Sequence, residues 1–196
     1  MVDFNLSMSR LVAEIASKVP DFAHIRTDQV LVSATFARSS RRAGLLAYVL
    51  PLKYREGSPI ERRVRAGREY HWAMLPYLKG GREVLYILYF MLPRFLHLPE
   101  RDRLETVVHE LYHISPAFNG DLRRFKGRSV LHGSLKAYDA KVRALTDLFL
   151  AANPDPQTYR FLAGAARRTD EMQAFHIPEP RPKLLKVAQH PPQGRF

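Results

Sequence analysis

Residues 84–92 read VLYILYFML, nine consecutive apolar residues rich in aromatic and β-branched types. Gly80-Gly81 precedes the run and Pro93 ends it. Such a segment predicts a strand. It is far short of the ~20 apolar residues of a membrane-spanning helix. A strand with no polar positions is either a sheet edge that a partner covers or a central strand buried on both faces. The rest of the chain must supply that cover.

The flanking patterns alternate in type. Leu6, Leu11, Val12, Ile15 and Val19 lie close to helical spacing and predict an amphipathic helix over 7–19, ended by Pro20 and Asp21. VLVSATF (30–36) predicts a strand. LLAYVLPLKY (45–54) predicts a second, at an edge or bulge because of Pro51, and YHWAML (70–75) a third. The intervening 55–69 is so charged that it reads as a loop. Helices are expected over 98–114, 134–152 and 156–172. Helix, strands, then helices indicate an α+β fold: an N-terminal helix, a three- to four-stranded mainly antiparallel sheet, an active-site helix, then two further helices. One domain is expected over 1–176, followed by a Pro-rich basic tail, 177–196.

The helix at 98–114 carries the chemistry. Its sequence includes His109-Glu110-Leu111-Tyr112-His113. At ~100° per residue from His109, His113 falls at about 40° and Glu110 at about 100°. Leu104, Val107, Leu111 and Val108 cluster on the far side, at about 160–260°. One face can therefore pack on a sheet while the other presents two imidazoles a turn apart. Residues i and i+4 are helix neighbours, so both rings can reach one zinc ion. The adjacent carboxylate can act as general base toward a water on that metal. A solvent-facing helix with two coincidental histidines is the plainer reading. A protease fold that keeps the motif for structural zinc lies between the two.

A catalytic zinc takes three protein ligands and a water. The H-E-x-x-H-x-x-G-x-x-H continuation fails, because Pro116 and Asn119 stand at the Gly and His positions. A glutamate from the next helix is excluded too, since 114–150 contains none. His132, in SVLHGSLKAYD, is the leading third ligand. Asp139 is the alternative, as ligand or as a carboxylate orienting a histidine, and Asp121 follows. Tyr112, Tyr138 and Arg124 are candidate donors to an oxyanion.

HELYHISPAFNGDLRR with the later His132-Gly133 and Tyr138-Asp139 resembles a phage-type metallopeptidase family and, more loosely, the SprT-like, minigluzincin-type zincins. The resemblance spans about 80–150 and departs at Leu135-Lys136-Ala137-Tyr138, where the aromatic residue after the His-Gly pair is displaced by one. It implies a zinc peptidase of one Zn2+ ion, with His109, His113 and His132 on the metal and Glu110 as base. It further implies a protein or peptide substrate and a bacterial or phage-encoded, cytoplasmic location. In many zincins the strand before the motif helix is a sheet edge to which substrate adds in extended form, so 84–92 is expected to be that edge.

The chain contains no cysteine, which excludes thiol nucleophiles and Cys-based zinc ribbons. Its 31 Lys and Arg against 19 Asp and Glu leave a net charge of +12. That charge would attract nucleic acid or an acidic protein. The candidate contacts are Arg41, Arg42, Arg62, Arg63, Arg65, Arg123, Arg124, Lys126 and Arg128. A basic, nucleic-acid-associated or assembly-binding protein with a structural or vestigial zinc site is therefore the alternative function. No segment is expected to target or span a membrane.

Overall fold

The computed structural model describes residues 2–36, 44–125, 135–163 and 172–185, and the chain has an α+β fold. In order, β1 (Val2–Asp3) runs into α1 (Phe4–Lys18), followed by β2 (Val30–Phe36) and β3 (Ala47–Pro51). Two hairpins come next: β4 (Ile60–Arg65) with β5 (Arg68–Ala73), and β6 (Tyr77–Lys79) with β7 (Arg82–Val84). Then follow β8 (Tyr86–Leu92), α2 (Glu100–Tyr112), α3 (Leu135–Ala151), the single turn α4 (Pro156–Tyr159), β9 (Met172–Gln173) and β10 (Lys183–Leu185).

The central sheet has the order β2–β8–β3. Thus β8 is the middle strand and not an edge, and all seven of its residues are buried. Tyr86, Leu88, Phe90 and Leu92 enter the main core with α1, α2 and α3, while Ile87, Tyr89 and Met91 enter a second core on the opposite face. Both faces are covered, which is why this strand has no polar positions. Strand pairing is mainly antiparallel, the exceptions being β2 with β8 and the two-residue pair β1 with β9.

Helix α1 buries Phe4, Met8, Leu11, Val12 and Ile15 along one stripe. It begins three residues before the expected start because the Asp3 carboxylate caps it, accepting from the Leu6 N–H at 2.9 Å. Helix α3 turns Tyr138, Val142, Leu145 and Phe149 into the same core. The helix expected over 156–172 is shorter: α4 passes at Arg160 into a 3-10 turn that ends at Leu162.

The charged segment 55–69 is not a loop throughout. Residues 60–65 pair with 68–73 in a hairpin closed by Ala66 (φ 50°) and Gly67 (φ 71°). Two positive φ values match the two-residue turns that follow strand twist. Ala-Gly in place of the usual Asn-Gly conceals that turn in the sequence.

The Pro-rich C-terminal segment also departs from a free tail over its described part. The backbone of Phe175 is held by the Asn5 side chain at both N–H (2.8 Å) and C=O (2.9 Å), and its carbonyl also accepts from Ala34 N–H of β2. The chain then crosses the sheet, where Ile177 packs in the second core and its carbonyl accepts from the Tyr89 hydroxyl. Beyond Glu179, which accepts from Tyr48, β10 pairs with β5. Proline prevents a long ladder here but not an extended strap. That strap covers the outer edge of β2.

Asn5 also donates to Val32 C=O at 2.8 Å, so one half-buried amide joins α1, β2 and the strap. Asn5→Ala is expected to destabilise the fold by about 1–3 kcal/mol. Urea denaturation would measure this, and amide exchange at Phe175 and Ile177 should accelerate more than exchange in β8.

Candidate functional site

Helix α2 is amphipathic in the expected sense. Leu104, Val107, Val108 and Leu111 face the core, and acidic Glu100 and Asp102 occupy the positive N-terminal turn. On the other side, the Nε2 atoms of His109 and His113 stand 3.1 Å apart. Two nitrogens bound at about 2.05 Å to one tetrahedral zinc would be about 3.3 Å apart, so the pair fits a single ion closely. The same distance suits a direct hydrogen bond between a protonated and an unprotonated ring.

Tyr138 from α3 forms the wall behind both rings. Its ring centroid lies 4.8 Å from that of His109 and 5.2 Å from that of His113, and its hydroxyl donates to the His109 carbonyl at 3.2 Å. Burial, then the nearby Glu110, pushes its hydroxyl pKa well above the ordinary value. Tyr138 thus packs against both imidazoles, and its hydroxyl donates toward the helix backbone.

Glu110 is buried, and burial pushes its carboxyl pKa up to about 8, despite a hydrogen bond from the Val49 N–H. That bond reaches the outer edge of β3. Flanking β3, Leu46 C=O accepts from Met91 N–H and Leu52 N–H donates to Leu85 C=O, so the alternation turns the N–H and C=O groups of Ala47 and Val49 outward. Pro51, which has no N–H to offer, sits at the next outward position. Among the described residues no strand pairs with this edge. It faces α2 across two adjoining clefts of about 440 and 260 Å3 that share Leu45, Ala47, His109 and Glu110. The histidine–glutamate group therefore lies midway along one groove between β3 and α2.

The segment ISPAFNGDLRR clamps the end of that helix. The Arg123 N–H donates to His113 C=O at 2.6 Å and its Nε to Tyr112 C=O at 2.7 Å, while its guanidinium stacks 4.2 Å over the Tyr112 ring. A cation thereby meets the negative end of α2. Asp121 organises the loop: its carboxylate accepts from Glu56 N–H, Leu122 N–H and the Arg124 guanidinium. Burial alone would raise its pKa, but Arg124 and the two backbone donors outweigh it and hold the group below the ordinary carboxylate value. The Tyr86 hydroxyl accepts from Gly120 N–H and donates to Asp121 C=O, tying the loop to β8. Gly120 is required there, with φ +85° and a position where a Cβ would lie 2.5 Å from the Lys53 side chain.

Asp121 and Arg124 are paired with each other in this loop. Tyr112 and Arg123 hold the helix end. Asp139 is exposed and lines the larger cleft with His109 and Glu110. Among the described residues no group of three His, Cys, Asp or Glu is placed to hold a metal. His132 lies outside the described residues, as do Arg41, Arg42, Lys126 and Arg128. The residues missed from sequence are Ala47 and Val49, whose backbone edge borders the site; Pro51 was the signal for it.

Comparison with protein-family models, curated proteins and solved structures returned no match. Among the described residues no helix is long and apolar enough to cross a membrane.

The Asp121 carboxylate has a lower pKa folded than unfolded, so its stabilisation is complete above the unfolded value of about 4 and is lost as pH falls through the folded one. Asp121→Asn is expected to lower stability by about 1–3 kcal/mol at pH 7. The deficit should shrink steadily in melts taken from pH 5 to pH 2.

Proposed function

We propose that this chain is a zinc-dependent peptidase that cleaves an extended protein segment lying along β3. The observation that carries the reading is the pair of imidazole nitrogens 3.1 Å apart, flanked by a buried carboxylate that reaches a strand edge with no partner strand among the described residues. His109 and His113 would hold the ion, with His132 as third ligand or Asp139 in its place. Zinc bound there would supply a water with a pKa near ~7 and polarise the substrate carbonyl.

The protein's own groups do the rest. Tyr138 fixes both imidazoles. The Val49 N–H orients the Glu110 carboxylate, whose burial favours the protonated form until a cation lies beside it. Ionised, Glu110 accepts a proton from water and returns it to the leaving amine. The outward Ala47 N–H and C=O and Val49 C=O offer main-chain partners to an added strand, which would read an extended peptide by its backbone. The edge role thus passes from 84–92 to β3. A bacterial or phage cytoplasmic setting belongs to the same reading.

A second reading assigns the basic surface an anionic macromolecular partner. What favours it is the hairpin of β4 and β5, which carries Arg62, Arg63, Arg65 and Arg68.

Metal analysis of protein purified without added metal should find one zinc per chain, with loss in His109→Ala and His113→Ala. His132→Ala and Asp139→Ala identify the third ligand by the same measurement. Glu110→Gln should retain zinc yet cut casein or peptide cleavage by at least ~100-fold. Wild-type protein without zinc would sink the proposal. Full zinc with cleavage indifferent to Glu110→Gln would sink the general-base role.

A further inference from the structure

Among the described residues, none from the three-stranded sheet β10–β5–β4 lines the clefts between β3 and α2. Its register sorts the side chains onto two faces, because directly paired residues share a face and neighbours alternate. Glu61 pairs with Trp72, Arg63 with Tyr70, and Arg65 with Arg68. One face therefore carries Glu61, Arg63, Arg65, Arg68, Tyr70 and Trp72 together, with Leu184 of β10 beside Trp72. The opposite face carries Arg62 and Glu69, which form an ion pair at 2.7 Å, and ends on buried Ala73.

Among the described residues the first face is exposed at its arginines and half-buried at its aromatic rings. Leu184, next to Trp72, is 51% exposed, and the three arginines are exposed. Arg63 is paired to Glu61 on that face, but among the described residues Arg65 and Arg68 form no ion pair. The two-residue turn holds them side by side at the hairpin tip. Two half-buried aromatic rings stand two residues apart on the same strand, behind the paired cations.

We propose that this face binds single-stranded nucleic acid. Arg65 and Arg68 contact successive phosphates, Arg63 supplements them, and Tyr70 and Trp72 offer rings on which bases stack. The combination decides between partners. Charge alone would suit any polyanion, including an acidic peptide, but adjacent aromatic rings on a basic sheet face suit bases exposed by the absence of a second strand. A duplex hides those faces in its own stack. This inference is independent of the peptidase reading and holds whether or not the groove is catalytic.

Trp72 is the chain's only tryptophan, so its fluorescence reports on this face without a label. Full-length protein titrated with oligo(dT) of about 20 nucleotides at low salt should show quenching of Trp72. Labelled oligo(dT) anisotropy should give the same affinity and a log K that falls linearly with log[salt]. Arg65→Gln/Arg68→Gln should weaken binding at least ten-fold and reduce the salt slope by about 1.4, two phosphates at about 0.7 each. Tyr70→Ala should weaken oligo(dT) binding while leaving the salt slope unchanged. Circular dichroism spectra matching the wild type would show that the exposed tip variants remain folded. Binding seen by anisotropy without quenching, and unaffected by the tip variants, would overturn the proposal. So would duplex of the same length binding more tightly than the single strand, or poly-glutamate quenching Trp72 with equal affinity.

Discussion

The burial of β8 on both faces is the constraint on which the rest depends. A strand with no polar residue must lie inside, flanked by strands on either side and by cover above and below. Here β2 and β3 are the flanking strands, α1, α2 and α3 cover one face, and a strap containing Ile177 covers part of the other. Placing β8 centrally makes β3 a boundary of the sheet. It also positions Tyr86 to hold the loop that closes the end of α2.

The two boundaries of the sheet are treated differently. At β2 the strap and the Asn5 amide occupy outward backbone groups, while at β3 the outward groups look across a groove to His109 and Glu110. An unpaired edge in a folded protein is a template for pairing with another chain. Beside a carboxylate and two imidazoles, that template acquires a chemical purpose in the proposed peptidase. Pro51 limits the edge to a few outward groups. The fold thus protects one edge and presents the other where the candidate chemistry lies.

Much of this was legible in the primary structure because it is periodic. The strand 30–36 and the helix stripe of Leu104, Val107, Val108 and Leu111 follow from spacing alone, and so does the placement of both histidines opposite that stripe. Strand β5 falls largely within the expected strand 70–75, but its partner β4 was not legible, because β4 is charged on both faces and faces solvent rather than core. The strap was hidden by its prolines, since its hold comes from side chains such as Asn5 and Tyr89, distant in the chain. The pairing of Asp121 with Arg124 and with the Glu56 backbone was not legible either, because it depends on how the loop folds back on distant residues.

Local pattern by itself determined the α+β class, the helix that bears His109, Glu110 and His113, and the direction in which they point. These depend on residues within one or two turns of each other, where backbone geometry dictates side-chain direction. Tertiary structure decided which strand is central, which edge faces the motif helix, and that Val49 reaches Glu110 and Tyr138 backs both imidazoles. Those outcomes depend on contacts between segments tens of residues apart. Such contacts form only when the apolar surface of β8 has been buried, and no periodicity within a single segment encodes them.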